Sequence, residues 1–175
     1  GDLIQLSSDI VQTRVYETSI YVSAGVSVHS LMKLVVQHGL SGLDYMAGVP
    51  ASVGGMVAMN FGCWGKEISS NLVSVDILTE TGERKTLKPK DMEFGYRTSI
   101  FHRKPWVILG ATLSCVPSNS VEVKRAIEVA IQKRLDSQPL RERTFGSVFK
   151  NLESEYVAAI LEKIGVKGFQ LSAVK

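Results

Sequence analysis

The sequence has little cysteine, no long hydrophobic run and little excess charge. Its two cysteines, Cys63 and Cys115, lie far apart and outside any CxxC motif, so neither a disulfide framework nor a zinc site is predicted. Two unpaired cysteines favour a reducing, cytoplasmic compartment. No apolar run approaches the roughly 20 residues that cross a bilayer, and the first residues show no signal peptide. The three histidines are not spaced as a pair of metal ligands, so no metal is expected.

The charge balance excludes further classes. Lys and Arg number 20 against 17 Asp and Glu, and the net charge of +3 is too small to predict nucleic-acid binding. Hydrophobic residues make up 45% of the chain and charged residues 21%, which excludes a disordered tail. One basic cluster stands out, and we interpret it as a solvated helix end and loop in preference to an anion site. Its members are Lys133, Arg134, Arg141, Arg143 and Lys150.

Apolar periodicity predicts several strands. A strand, a turn and a second strand are expected within residues 11–23, and further strands at 72–79, 84–87 and 106–115. The turn Thr81-Gly82 predicts that the strands at 72–79 and 84–87 form a hairpin. Val73, Val75 and Ile77 alternate along their strand and are predicted to share one of its faces.

Helices are predicted between these strands, so the chain as a whole has an α+β pattern. Ser27 is a candidate cap for the first helix, and Gly39 stands where a left-handed residue ends it. A second helix begins at residue 119 or 120 and a third covers 156–164. Pro139 ends the second helical pattern, so a domain boundary is predicted near residues 137–139.

The first candidate functional segment is the glycine segment, residues 48–62 (GVPASVGGMVAMNFG). Glycines and small hydroxyl residues present backbone N–H groups without intervening side chains, which suits a phosphate. The segment is neither a Walker loop nor a Rossmann G-x-G-x-x-G. A tightly packed turn between two elements is an equal alternative for the bare pattern.

Two shorter segments carry polar groups. In residues 94–99 (FGYRTS), Arg97 is placed to hold an anion or a polarised carbonyl; the alternative is a surface arginine packed on Tyr96. In residues 145–151 (FGSVFKN), Gly146 permits an unusual backbone that aims Ser147. Ser147 has no evident base for nucleophilic chemistry but can donate a proton, while a strand or turn with one serine explains the segment equally well.

Together and in this order, the three segments resemble the UDP-N-acetylenolpyruvoylglucosamine reductase family (UDP-N-acetylmuramate dehydrogenases, the MurB type). Residues 39–50 (GLSGLDYMAGVP) resemble the family's GL-x-GLEF-x-AGIPG, and residues 53–68 resemble its VGG…NAGAYG-x-EI. FGYRTS resembles F-x-YR-x-S. The QPL at 138–140 and GSVFKN at 146–151 resemble QPL…GSVFKNP. The likeness covers nearly the whole chain, and the joint occurrence is far more specific than any one segment.

The resemblance implies a reductase that uses FAD and NADPH to convert UDP-N-acetylglucosamine enolpyruvate to UDP-N-acetylmuramate for peptidoglycan. NADPH would reduce FAD, and the reduced flavin would pass hydride to C3 of the enolpyruvyl group. By motif, Arg97 would stabilise enolate character with support from Tyr96, Ser147 would protonate C2, and Asn151 would contact the nucleotide portion. The residues implied to line FAD, mainly through backbone amides, are Pro50, Ser52, Val53, Gly54, Gly55, Asn60 and Gly62.

The resemblance also implies three parts. Residues 1–10 would be the tail of an N-terminal FAD subdomain. Residues 11–137 would form a central FAD-binding domain of the vanillyl-alcohol-oxidase-like type, with a mostly antiparallel sheet and flanking helices. Residues 138–175 would begin a C-terminal α/β substrate domain, and the family's catalytic glutamate is expected outside these 175 residues. The alternatives are a non-catalytic fragment or relative that at most binds flavin or nucleotide, and a flavin oxidase with another small substrate. No nucleic-acid or membrane partner is expected.

Overall fold

A computed structural model of the chain describes residues 12–138 and 146–169. The chain divides after Pro139 into two units, Gly1–Pro139 and Leu140–Lys175. The predicted subdomain tail at 1–10 lies outside the described residues, as do Arg141, Arg143 and Phe145. Among the described helices, none has the length and apolar character that a membrane crossing requires.

The first unit is built on an antiparallel sheet of five strands. In chain order, its strands and those of two small ribbons are β1 (Thr13–Val15), β2 (Ser19–Ser23), β3 (Leu40–Ser41), β4 (Gly62–Cys63), β5 (Lys66–Glu67), β6 (Leu72–Leu78), β7 (Arg84–Leu87), β8 (Val107–Ser114) and β9 (Val116–Pro117). The main sheet has the order β1-β2-β8-β6-β7, while β3 pairs with β9 and β4 with β5. All of these pairs are antiparallel, as the family resemblance implied.

One face of the sheet carries the core. Ile20 and Val22 of β2 and Leu113 of β8 are fully buried, and they alternate with half-buried neighbours. The prediction for β6 is wrong at one residue: Val75 and Ile77 are buried, whereas Val73 is 39% exposed. The register against β8 shifts between Leu72 and Ser74, so a bulge turns Val73 away from the core.

Three of the described α-helices belong to the unit that holds the sheet, and the fourth belongs to the second unit. The described α-helices are α1 (Val28–Gln37), α2 (Val53–Ala58), α3 (Ser120–Ser137) and α4 (Val157–Lys163). Ser27 caps α1 by accepting from the Ser30 amide, and Asn119 caps α3 by accepting from the Glu122 amide. Gly39 follows α1 at φ +62°, as predicted, and a Cβ there would lie 2.5 Å from the Ser118 carbonyl oxygen. The α+β prediction is therefore confirmed.

The second unit is described over 146–169. Gly146 has φ +71°, which confirms the predicted unusual backbone beside Ser147. No strand is present in the described residues 146–150, which contain only a bend at Phe149. The predicted third helix is α4, which Gly165 ends in a left-handed conformation at φ +80°.

Candidate functional site

Arg97 occupies a strained position in a tight turn, which we call the Arg97 turn (residues 95–98). Gly95 and Thr98 exchange backbone hydrogen bonds of 3.1 and 3.2 Å, which close the turn. Arg97 has φ +54°, a left-handed conformation that costs a non-glycine residue about 1–2 kcal/mol. Its guanidinium carbon lies 4.9 Å from the centre of the Tyr96 ring. The backbone of the turn and the contact with the exposed Tyr96 ring thus restrict the orientation of the Arg97 guanidinium.

The other end of that guanidinium is fixed by a neighbouring hairpin. The Trp64 hairpin (residues 62–67) consists of β4, the turn Trp64-Gly65 and β5. Arg97 Nη2 donates a 2.5 Å hydrogen bond to the Gly62 carbonyl. A Cβ at Gly62 would lie 3.1 Å from Arg97 Nη1 and 2.9 Å from Glu67 Cγ. Gly62 is therefore required for the close approach of the arginine and the glutamate to the backbone between them.

Asn60 links the Arg97 turn to the Trp64 hairpin through hydrogen bonds of its side chain. It is 1% exposed and has φ +41°, a conformation that asparagine tolerates better than most residues. Its Nδ2 donates to Glu67 Oε2 at 2.9 Å and to the Gly95 carbonyl at 3.0 Å, and its Oδ1 accepts from the Ser69 amide. Asn60 thereby joins the Trp64 hairpin to the Arg97 turn, and it is placed to shape the site rather than to touch a bound molecule.

Ser99 anchors the Arg97 turn to α2. Its side chain is fully buried, and Oγ donates a 2.6 Å hydrogen bond to the Ala58 carbonyl in the last turn of that helix. The glycine segment, which contains α2, is thus joined directly to the turn that carries Arg97. Ser99 was not predicted as a site residue, although its place in the FGYRTS motif was a signal for such a role.

The glycine segment uses most of its own backbone donors. The amides of Val49, Ala51, Val53, Gly54 and Gly55 donate to acceptors within the protein. Binding of FAD mainly through backbone amides of this segment stays a prediction, and at these five positions the amides already have acceptors within the protein. Gly54 has a packing role, because a Cβ there would lie 2.8 Å from Ala24 Cβ. Val53 and Gly62 are buried as well.

Of the predicted FAD residues, Pro50 and Gly55 are exposed, and Ser52 and Gly54 are half-buried. Ser52 Oγ accepts from the Gly55 amide at 3.2 Å, which leaves its hydroxyl proton to donate to a ligand. A Cβ at Gly55 would meet only Ser52 Oγ, at 3.3 Å, so a flat group can approach the bare backbone there. This bare surface with a hydroxyl donor is compatible with a flat ring such as that of a flavin.

Arg134 contradicts the prediction of a solvated helix end. It is 4% exposed, and its Nε and Nη2 donate 2.8 Å hydrogen bonds to the carbonyls of Ala47 and Tyr45. Nη2 also contacts Cys63 Sγ at 3.2 Å, and the guanidinium carbon lies 4.6 Å from the centre of the Trp64 ring. A signal was present in the sequence, since position 134 continues the buried stripe of α3 at helical spacing.

The remaining predicted residues lie in the second unit. Ser147 is exposed beside Gly146. Asn151 is half-buried, and its Oδ1 accepts from the Val157 amide at the start of α4, 3.1 Å away. No other described residue accepts a hydrogen bond from the Asn151 Nδ2, so its role in binding stays a prediction. Arg97, Tyr96 and the glycine segment thus belong to the first unit, and Ser147 and Asn151 belong to the second.

Burial raises the pKa of two groups near these elements. The Cys115 thiol has its pKa raised to about 11 by desolvation. The pKa of Tyr45, whose hydroxyl donates to Asn71 Oδ1, is raised chiefly by burial, with smaller contributions from Cys63, Asp44 and Glu67. Both groups are neutral at physiological pH and act as parts of the core. The two cysteines are free thiols.

Comparisons with known proteins identify relatives of this chain. Residues 3–88 match the family described as "FAD binding domain". The UDP-N-acetylenolpyruvoylglucosamine reductase of Synechococcus sp. (strain JA-3-3Ab) is 36% identical over 157 residues, 89% of this chain and 50% of that protein. The reductase of the same name from Halalkalibacterium halodurans is 34% identical over 175 residues, 100% of this chain and 58% of that protein.

A solved structure shares the fold. The crystal structure of UDP-N-acetylenolpyruvylglucosamine reductase (MurB) from Thermus caldophilus aligns with a TM-score of 0.77 and 29% identity, over 86% of this chain and 55% of that one. The chain spans 50% and 58% of the lengths of the two reductases compared in sequence. Over that span, the chain belongs to the UDP-N-acetylenolpyruvoylglucosamine reductase family.

Proposed function

We propose that this chain is the flavin-binding core of an NADPH-dependent reductase that converts UDP-N-acetylglucosamine enolpyruvate to UDP-N-acetylmuramate. The reaction belongs to peptidoglycan precursor synthesis in the cytoplasm, and the two free thiols favour that compartment. The names of the relatives and the match to an FAD binding domain support the proposal. The observation that carries it is the fixed guanidinium of Arg97, joined to the end of the glycine segment through Gly62.

The flavin would be held by the open part of the glycine segment. Ser52 would donate its hydroxyl proton, while Pro50 and Gly55 would give a surface for a flat group. Val53, Gly54, Asn60 and Gly62 would shape that surface from within, because their side chains or backbones are engaged in the protein. When bound, FAD supplies the hydride chemistry, taking a hydride from NADPH and giving one to the enolpyruvyl C3.

Arg97 would stabilise negative charge on the substrate. One of its N–H groups is used by the Gly62 carbonyl, and a guanidinium has five, so the others remain for a carboxylate or enolate oxygen. Because the turn and the hairpin already fix the group, little reorganisation is needed as charge develops. Tyr96 would keep the guanidinium in place through the contact of its ring.

Ser147 and Asn151 would act from the second unit. Hydride addition at C3 leaves a carbanion equivalent at C2, and Ser147 would give its hydroxyl proton to that carbon. The balance is then one hydride and one proton added across the double bond. Asn151 would bind the nucleotide portion through Nδ2, since its Oδ1 holds the start of α4.

Measuring the two half-reactions separately distinguishes a role in flavin reoxidation by the substrate from a role in flavin reduction by NADPH. Ser147→Ala and Arg97→Lys should leave reduction of the flavin by NADPH within about threefold of the wild type. Both should slow reoxidation by the enolpyruvyl substrate about 100-fold or more, because a group that acts only on developing charge has been lost. Stopped-flow absorbance of the flavin measures both rates. Equal loss of the two half-reactions would refute these roles, and a folded protein without flavin would favour the alternative of a non-catalytic relative.

A further inference from the structure

Arg134 is the one charged side chain among the described residues that is buried. No carboxylate of the described residues forms an ion pair with it. Its charge is compensated by the carbonyls of Tyr45 and Ala47, by Cys63 Sγ and by the Trp64 ring. Removing a guanidinium from water without a carboxylate partner is unfavourable by several kcal/mol. An apolar side chain would fill the same place on α3 without that penalty.

The guanidinium therefore serves to orient the backbone to which it donates hydrogen bonds. Its two 2.8 Å hydrogen bonds fix the backbone of residues 45–47, which leads directly into the glycine segment. Gly48, the first residue of that segment, has φ +78°, and a Cβ there would lie 3.2 Å from Arg134 Cδ. The arginine stem thus lies against the backbone at the exact start of the segment that leads to Ser52 and Gly55.

The same guanidinium also holds the Trp64 hairpin. Cys63 Sγ donates to the Tyr45 carbonyl at 3.1 Å and accepts from Arg134 Nη2 at 3.2 Å, so the thiol closes a ring of contacts. Trp64, at φ +51° in the turn, places its ring within 4.6 Å of the guanidinium carbon. Cys63 directly follows Gly62, whose carbonyl accepts from Arg97.

We propose that Arg134 is a positioning residue that fixes the glycine segment against the Trp64 hairpin and thereby sets the direction of Arg97. It acts through Ala47 on the flavin surface and through Cys63 and Gly62 on the substrate-facing guanidinium. This inference rests on the proposed function for its catalytic meaning. Its structural content, the ring of contacts around Cys63, is measurable without any cofactor.

The test uses the 175-residue chain with Arg134→Gln, Arg134→Lys and the control Arg125→Gln, which changes an exposed arginine of the same helix. The first readout is the rate at which a disulfide reagent modifies Cys63, assigned by peptide mass spectrometry. The second is the dissociation constant of FAD from quenching of flavin fluorescence. Arg134→Gln should raise the Cys63 rate and the FAD constant by about tenfold each, the factor that corresponds to one lost hydrogen bond.

The control and the lysine variant sharpen the result. Arg125→Gln should stay within about twofold of the wild type in both readouts, and Arg134→Lys should recover part of both, since an ammonium can bond one of the two carbonyls. Arg134→Gln that matches Arg125→Gln in both readouts overturns the proposal, even with a lowered melting temperature. If Arg134→Gln is unfolded by circular dichroism, Arg134→Lys decides: intermediate values support the proposal and wild-type values overturn it.

The two proposals fail separately. A folded wild-type chain that binds no FAD contradicts the proposed function. The Cys63 rate then still decides the positioning role: faster modification in Arg134→Gln than in Arg125→Gln supports it, and equal rates overturn it.

Discussion

Arg97 Nη2 donates a 2.5 Å hydrogen bond to the Gly62 carbonyl, and it does so from a backbone at φ +54°. The bond joins two tight turns that are separated by 35 residues in the sequence. The strain in the Arg97 turn is offset by this bond and by the contact with the Tyr96 ring. A guanidinium fixed to the end of the glycine segment is the core of the proposed site.

The strain at Arg97 predicts an unusual order of stabilities. Arg97→Gly and Arg97→Ala both lose the bond to Gly62, but only glycine adopts the left-handed φ freely. The glycine variant should therefore be more stable than the alanine variant by about 1 kcal/mol in urea unfolding. Arg103 is the matched control, because its φ of −115° should make alanine the better residue there. Equal stabilities of the two Arg97 variants would contradict the left-handed turn.

The contact between Asn60 and Glu67 predicts a charge conflict. Asn60→Asp places a second carboxylate about where Nδ2 now lies, 2.9 Å from Glu67 Oε2. Loss of the bond and like-charge repulsion should destabilise the chain by about 2–4 kcal/mol at pH 7. Glu67→Gln in the Asn60→Asp background should restore a large part of that loss, which a double-mutant cycle in urea measures. Independent, additive effects of the two changes would refute the contact.

Adjacent glycines in α2 should respond differently to alanine. Gly54→Ala brings a Cβ to 2.8 Å from Ala24 Cβ, and such overpacking costs about 1–3 kcal/mol. Gly55→Ala meets only Ser52 Oγ, at 3.3 Å, so its stability should change by less than about 1 kcal/mol. Ala24→Gly should rescue Gly54→Ala, because it removes the opposing methyl group. A Gly55→Ala chain less stable than Gly54→Ala would contradict this packing.

The buried Cys115 thiol predicts a loss of stability at alkaline pH. Burial raises its pKa from 9.0 to about 11, so the unfolded chain loses this proton at lower pH than the folded one. The stability from the neutral thiol is fully present below pH 9 and is lost as the pH rises toward 11. Cys115→Ala should show a smaller loss between pH 9 and 10 in urea titrations. Tyr45→Phe should reduce the loss in that interval by less than Cys115→Ala does, because an unfolded tyrosine, with its ordinary pKa of 10.0, ionises mainly above it. An unaltered slope in Cys115→Ala would disprove the assignment.

Local signals in the sequence predicted much of the fold. Ser27, Asn119 and Gly39 act within one helical turn of their own positions, so capping and left-handed rules were sufficient. The bulge that exposes Val73 arises from the pairing of β6 with β8, a contact between distant segments. Alternation along a single strand carries no information about such a register shift.

The site was predicted less completely than the fold, because it depends more on contacts between distant segments of the chain. Arg97 and Gly62 were recognised through the family motifs, but their bond depends on two turns that meet only in the folded chain. Gly54 was implied to line FAD, but the close approach of Ala24 to it depends on a segment 30 residues earlier in the chain. Arg134 was assigned to solvent on charge alone, although its place in the apolar stripe of α3 indicated burial.

A fluorescence titration of the 175-residue chain with FAD shows whether the chain binds FAD on the surface formed by Ser52 and Gly55. We predict saturable binding of one FAD per chain, weakened about tenfold by Gly55→Ala at nearly unchanged stability. A folded wild-type chain without saturable FAD binding, or a Gly55→Ala chain that binds FAD as tightly as the wild type, would contradict the claim.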